Sequence, residues 1–201
     1  MVPDRSPLDA TGGSETVRAG ARHMVSPERT SSQTRELIAV LDRHGFRFVV
    51  FGSAGAYLYG ANLSPGDLDI CPALDRENLS RLAAALREVG ARPRVIEGWM
   101  TEKEGLAWRP TPLTEAQFDH LFQTTLGDLD IVPRPYGPHG KSDRFDFENL
   151  NDRARTIHIE TIEVRVAAVD DLVASKMSRH RGKDIEALPE LNRIQHRHTS
   201  D

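Results

Sequence analysis

The sequence predicts an α/β fold, in which helices flank a mixed β-sheet and a helical segment follows at the C-terminus. Short apolar runs with strand character alternate with segments whose apolar residues recur at helical spacing. One such run, Phe48 to Phe51, stops at Gly52-Ser53, and the next carries two aspartates, Asp67 and Asp69. A chain of 201 residues is long enough for one domain with a substantial core.

The composition predicts a soluble globular protein, with 38% hydrophobic and 28% charged residues. No apolar stretch approaches the roughly 18 residues of a membrane span, and no signal-peptide core begins the chain, so we expect a cytoplasmic protein without a membrane partner. The single cysteine, Cys71, excludes an internal disulfide and a cysteine-rich zinc site.

The domain organisation follows from where apolar periodicity begins. Residues 1–30 are rich in Pro, Gly, Ser and charge without any periodicity, which predicts a disordered tail. The folded domain should span residues 31–195, with a core over 31–167 and a helical segment over 168–195. Its first elements should be a helix from Ser32 to His44 and a strand from Arg47 to Phe51.

The Gly52-Ser53 turn has the features of a phosphate cradle. It joins a strand to a predicted helix, Ala54 to Tyr59, and a helix N-terminus presents free N–H groups that favour anions. The following strand, Asp67 to Cys71, places both of its aspartates on one face because alternate strand residues share a face. Two neighbouring carboxylates repel each other unless a cation lies between them, which indicates a Mg²⁺ or Mn²⁺ site.

The next segments predict further α/β structure. A helix should run from an Asp75 N-cap to Gly90. Residues 92–116 are broken by Pro and Gly and contain Trp99 and Trp108, which either pack on the sheet or stack on a base.

Two strands, Phe118 to Thr125 and Leu129 to Val132, should form an antiparallel hairpin. Asp128 and Asp130 share a parity, so either one could face the metal. We select Asp130 because apolar residues flank it on both sides. A loop from Pro133 to Gly140 should follow.

The C-terminal part carries one informative lysine. After a hairpin or bulged strand over 156–167, a helix from Val169 to His180 has an apolar stripe that includes Met177, and Lys176 falls inside this stripe. A buried ammonium needs a negative partner, so Lys176 either snorkels or pairs with a structural carboxylate such as Asp184, or it contacts a triphosphate. From Lys176 to Arg197 there are six Lys or Arg against three Asp or Glu. This basic segment is either a solvated face or a binding surface for triphosphate or RNA.

The order G-S, short helix, D-L-D-I and a later strand aspartate resembles the polymerase-β-like nucleotidyltransferase superfamily. Within it, the chain resembles the bacterial subgroup of AbiEii and MenT toxin nucleotidyltransferases, a likeness that also involves the segment from Val166 to Asp184. The resemblance implies a nucleotidyltransferase core, and a catalytic lysine followed by an aspartate, matched here by Lys176 and Asp184.

Together these observations predict Mg²⁺-dependent transfer of an NMP from an NTP to an acceptor hydroxyl. Asp67, Asp69 and Asp130 would bind the metal, and the same three aspartates and Lys176 would be the catalytic residues. Nucleotide binding would involve Gly52, Ser53, Lys176 and Asp184. The resemblance further implies a tRNA acceptor, a toxin role and a cognate antitoxin. A small-molecule acceptor, as in aminoglycoside nucleotidyltransferases, is the alternative enzyme, and a non-catalytic binding module is the alternative of another class.

Overall fold

The computed structural model of the chain describes residues 32–94, 102–109, 119–179 and 181–198. The predicted disordered tail, residues 1–30, lies outside the described residues, as do Trp99 and His180. Within the described residues the chain forms seven helices, which are α1 Ser32–Arg43, α2 Gly52–Leu58, α3 Arg76–Glu88, α4 Glu102–Ala107, α5 Phe147–Arg153, α6 Val169–Arg179 and α7 Gly182–His198. The strands of the same residues are β1 Phe48–Val50, β2 Asp67–Pro72, β3 Arg92–Pro93, β4 His120–Thr124, β5 Gly127–Ile131, β6 Tyr136–Gly137, β7 Gly140–Arg144, β8 Arg155–Ile159 and β9 Ile162–Val166.

Seven of these strands form one mixed sheet in the order β3-β4-β5-β2-β1-β9-β8. Strand β2 is central, pairing antiparallel with β1 and parallel with β5. The β4–β5 and β8–β9 pairs are antiparallel hairpins, and β1 runs parallel to β9. The predicted α/β class with a mixed sheet is confirmed, and the C-terminal helical segment consists of α6 and α7.

The core lies on the apolar face of the central strands. Leu68 and Ile70 on β2, with Leu129 and Ile131 on β5, are at most 1% exposed, because alternate residues of both strands point into the same layer. Helices α1 and α3 contact each other, and α1 also contacts β5. Among the helices of the described residues, none combines the length and the apolar character that a membrane crossing needs.

Local signals explain where α3 begins and how it is attached. The Asp75 carboxylate accepts a hydrogen bond from the Asn78 backbone N–H at 3.0 Å, which caps the helix as predicted. The buried Asn78 amide donates to the backbone carbonyl oxygens of Arg47 and Ala73 at 2.9 and 2.8 Å. This side chain therefore ties the start of α3 to both central strands.

The structure differs from the prediction in two segments, and it decides between the alternatives left open for a third segment and for Trp108. Helix α2 begins at Gly52, two residues before the predicted Ala54, so the Gly-Ser pair belongs to the first helical turn. The predicted loop after Pro133 contains a short strand, β6, because it pairs with β7 further along the chain. The segment over 156–167 is a hairpin, not a bulged strand. Trp108 packs on Phe122, with ring centroids 5.2 Å apart.

Candidate active site

Three carboxylates meet on the polar face of the sheet. Strands β2 and β5 are parallel and in register, so that Asp69 lies opposite Asp130 and Asp67 opposite Asp128. One carboxylate oxygen from each of Asp67, Asp69 and Asp130 lies within 4.8 Å of the others. Asp128 is outside this group, and its carboxylate pairs with Arg94 at 3.0 Å. The cluster is therefore formed by the D-x-D strand and one aspartate from the neighbouring strand.

The protein balances the charges of this cluster only in part, since Arg94 pairs with Asp130 and the charges of Arg179 and Lys176 act on Asp69. Burial, together with the charges of Asp67 and Asp130, raises the pKa of Asp69 to about 7. Burial also raises the pKa of Asp130 to about 6, although the Arg94 guanidinium opposes that rise. Clustered oxygen ligands without a matching cation are the donor set that Mg²⁺ or Mn²⁺ prefers. The residues present thus fit a divalent metal.

Gly52 lies directly against this cluster. Its backbone has φ +64°, a conformation that favours glycine, and a Cβ placed there would lie 2.0 Å from an Asp69 carboxylate oxygen. No side chain caps the N-terminus of α2, so the first turn keeps backbone N–H groups available beside the carboxylates. The glycine therefore permits close approach of the α2 N-terminus to Asp69.

Helix α6 brings a buried lysine to the same place. The Lys176 Nζ donates to the Ser53 hydroxyl at 3.2 Å and lies 3.7 Å from the Asp184 carboxylate. Burial lowers the pKa of Lys176, while the charges of Asp184 and Asp69 act in the opposite direction. The prediction that Met177 shares the buried stripe was wrong. Met177 is 53% exposed, because the α6 surface that packs on α7, on α2 and on the β6–β7 pair contains Lys176 in its place.

Asp184, at the start of α7, is almost fully buried. Its carboxylate accepts a hydrogen bond from the Arg181 guanidinium at 2.7 Å. Burial acts to raise the pKa of Asp184, but this hydrogen bond and the charges of Arg181 and Lys176 outweigh burial and lower it. Asp184 therefore contacts two cations at once and fixes where the Lys176 ammonium can lie.

These side chains line one narrow polar cleft of about 70 Å³ between the sheet, α2 and the α6–α7 corner. Its walls combine the three clustered aspartates and Asp184 with Lys176, Arg179 and Arg181. The Arg179 guanidinium also lies over the ring of Tyr136, 5.6 Å from its centroid. All residues predicted for the site, Gly52, Ser53, Asp67, Asp69, Asp130, Lys176 and Asp184, line this cleft.

Sequence reasoning missed Arg94, which follows β3 and pairs with both Asp128 and Asp130. It lies in a segment whose prolines and glycines conceal any periodicity. The signal that could have indicated a cation here was indirect. Asp128 and Asp130 lie on one face of the same strand, and two neighbouring carboxylates repel each other unless a cation lies nearby.

A second cavity, about 340 Å³, lies between α1, α5 and the β1 and β9 strands. Its lining combines apolar side chains with three carboxylates, Asp42, Glu148 and Glu163, and with cations that already have partners, since Arg47 pairs with Asp75 and Arg165 donates to Asn151. It contains no carboxylate cluster among the described residues, so the chemistry of the protein is assigned to the smaller cleft.

The fold matches solved structures of nucleotidyltransferases. The lincosamide antibiotic adenylyltransferase LnuA, with lincomycin bound, matches with a TM-score of 0.52 and 15% identity, over 82% of this chain and 98% of that chain. The antibiotic-resistance factor ANT(2'')-Ia matches with a TM-score of 0.50 and 12% identity, over 84% of this chain and 90% of that chain. No protein-family model and no curated protein sequence matches this chain. At these identities the likeness establishes the fold, and the chain therefore has the α/β fold of these nucleotidyltransferases.

Proposed function

We propose that this protein is a nucleotidyltransferase, which transfers an NMP from an NTP to an acceptor hydroxyl. The observation that carries the proposal is the cluster of Asp67, Asp69 and Asp130 beside a buried lysine and a helix N-terminus. A binding module has no need of clustered, unbalanced negative charge, because such charge opposes folding. Metal-assisted phosphoryl chemistry does need it.

Asp67 and Asp69 would hold Mg²⁺ or Mn²⁺, and a carboxylate oxygen of Asp130 lies within 4.8 Å of theirs. When bound, the metal would neutralise charge on the triphosphate and orient it for in-line displacement. Gly52 and Ser53 would support phosphate oxygens through the first turn of α2.

On the opposite wall of the cleft, the Lys176 ammonium would contact the negative charge that develops on the leaving pyrophosphate. Asp184 would act through Lys176, since it holds the ammonium between α6 and α7. Arg179 and Arg181 add positive charge to the same cleft.

The transfer forms a bond between the acceptor oxygen and the α-phosphorus, and it breaks the bond from that phosphorus to the bridging oxygen of the β-phosphate. Pyrophosphate leaves with the bonding electron pair. Asp130 would accept the proton of the attacking hydroxyl, a role supported by its position opposite β4 in the sheet and by its ion pair with Arg94.

Two acceptor classes have separate support. A small hydroxyl-bearing molecule is favoured by the fold match to LnuA, described as a lincosamide adenylyltransferase, and to ANT(2'')-Ia, described as an antibiotic-resistance factor. A tRNA acceptor, with a toxin role and an antitoxin partner, is favoured by the sequence resemblance to the AbiEii and MenT subgroup and by the arginines at the cleft. That subgroup assignment stays a prediction.

The deciding experiment supplies each α-³²P-labelled NTP with Mg²⁺ and either total tRNA or a panel of aminoglycosides and lincosamides. Label in tRNA supports the toxin acceptor, and label in a small molecule supports the other class. The matched control is Asp69→Asn, which keeps the side-chain shape and should transfer no label. Label in neither acceptor, with Mg²⁺ or Mn²⁺, would refute catalysis and favour the binding module.

A further inference from the structure

Arg94 holds the third carboxylate of the site from outside the cluster. Its guanidinium pairs with Asp130 through one nitrogen and with Asp128 through another, at 3.0 Å for the latter. The Asp130 side chain is 11% exposed, while the Arg94 and Asp128 side chains are 28% and 32% exposed. The same arginine therefore joins the buried catalytic aspartate to a more exposed one that takes no part in the cluster.

The backbone makes this bridge a fixed feature of the sheet. The Arg94 N–H donates to the Leu121 carbonyl oxygen at 2.8 Å, and Leu121 lies opposite Asp130 in the β4–β5 register. The arginine is thus attached to β4 at the level of the carboxylate that it contacts. Among the residues that the structure describes, its remaining Nε is buried without a hydrogen-bond partner, and the polar partners of the side chain are the two β5 carboxylates.

Resting on the proposed function, we propose that Arg94 is a positioning residue that keeps Asp130 away from the metal and directs it to the acceptor hydroxyl. Asp67 and Asp69 then form the metal site by themselves. Asp128 is the anchor, because its carboxylate holds the second nitrogen of the guanidinium in a fork that a lysine cannot reproduce.

Geometry and charge both support these separate roles for Asp130 and for the two metal-binding aspartates. An oxygen of Asp130 lies within 4.8 Å of the other two carboxylates, close enough to become a third metal ligand if it were free to turn. A guanidinium keeps its charge at every pH at which the protein folds, so it competes with a cation for this carboxylate continuously. A carboxylate that ligated the metal would have its lone pairs engaged and would be a poor proton acceptor.

The test measures Mn²⁺ affinity by electron paramagnetic resonance, independently of transfer, in the full chain. We expect Arg94→Met to tighten Mn²⁺ binding about tenfold, because it frees a third carboxylate and removes a positive charge. Adding Asp130→Asn to that variant should abolish the gain. In the otherwise unchanged protein, Asp130→Asn should change Mn²⁺ affinity less than about threefold.

The matched control is Arg92→Met, which removes the same charge two residues earlier, from an exposed position on β3. Tightening in both variants would mean a general charge effect and would overturn the proposal. Unchanged affinity in Arg94→Met would also overturn it, as would loss of Mn²⁺ binding in the single Asp130→Asn variant. If Arg94→Met fails to fold, Arg94→Lys serves in its place, with a smaller gain in Mn²⁺ affinity expected from its single point charge.

Kinetics separate positioning from a structural role. Arg94→Met should lower kcat about 30-fold while KM for the NTP changes less than about threefold, because the phosphate contacts are intact and the proton acceptor is misdirected. Wild-type kcat in this variant would refute positioning. If no acceptor is modified by the unchanged protein while the Mn²⁺ pattern holds, the proposed function fails and the hold of Arg94 on Asp130 stands. Absence of Mn²⁺ binding in every variant overturns both.

Discussion

Replacing Asp69 with asparagine should stabilise the metal-free protein at neutral to alkaline pH, although it removes a proposed metal ligand. In the folded chain, burial of the Asp69 carboxylate, together with the charges of Asp67 and Asp130, raises its pKa from the ordinary 3.8 to about 7. The folded state therefore binds this proton more tightly than the unfolded chain does. Stability conferred by the proton is lost as the pH rises from about 4 to about 7, and the full cost of the charge is present above that range.

The size of the expected stabilisation follows from the same rise in the pKa of Asp69. Each pKa step is worth about 1.4 kcal/mol, so the rise from 3.8 to about 7 sets a ceiling of roughly 4 kcal/mol on the cost of ionised Asp69. We expect Asp69→Asn to gain roughly 2–4 kcal/mol in the free energy of unfolding at pH 8 and only about 0.5 kcal/mol at pH 4. Asparagine has nearly the same shape, so the contact with Gly52 is preserved.

The assay is urea unfolding in EDTA at both pH values, with Asp128→Asn as the matched control. The Asp128→Asn variant loses the same charge on the same face of the sheet. The Asp128 carboxylate is paired with Arg94, however, so no gain in the free energy of unfolding is expected. Adding Mn²⁺ should stabilise the unchanged protein by mass action and leave Asp69→Asn unaffected. A variant that is no more stable than the unchanged protein at pH 8 would refute the unbalanced-charge argument, and with it the fit of the cluster to a metal.

Three further predictions test the site and the chain around it. Gly52→Ala should abolish Mn²⁺ binding and cost at least roughly 1–2 kcal/mol in unfolding free energy, because its Cβ would lie 2.0 Å from Asp69 at positive φ. Gly66→Ala, which meets nothing within 4 Å, should be tolerated in both assays. Lys176→Met should unfold at the same or a higher temperature, yet transfer nucleotide at least about 30-fold more slowly, and near-normal transfer would remove the lysine from the mechanism. Deleting residues 1–28 should change the melting temperature little, whereas a large fall would show that this segment docks on the domain.

The sequence determined those features that depend on local periodicity and local chemistry. Period-two alternation placed Asp67 and Asp69 on one face of their strand and their apolar neighbours on the other, independently of any tertiary contact. A side chain able to cap the next N–H groups marked the start of α3 at Asp75. Helical spacing located Lys176 on the inward side of α6, and the order of the motifs predicted the fold class.

Only the tertiary structure decided which groups meet across the sheet and which surfaces are covered. Parity could not separate Asp128 from Asp130. The choice depends on the β2–β5 register and on Arg94, which reaches β5 from a strand distant in sequence. Met177 shows the same limit, since its exposure depends on where α7 packs and not on the α6 pattern. Local sequence specifies which way a side chain points relative to its own element, whereas the partner that it meets is set by long-range packing.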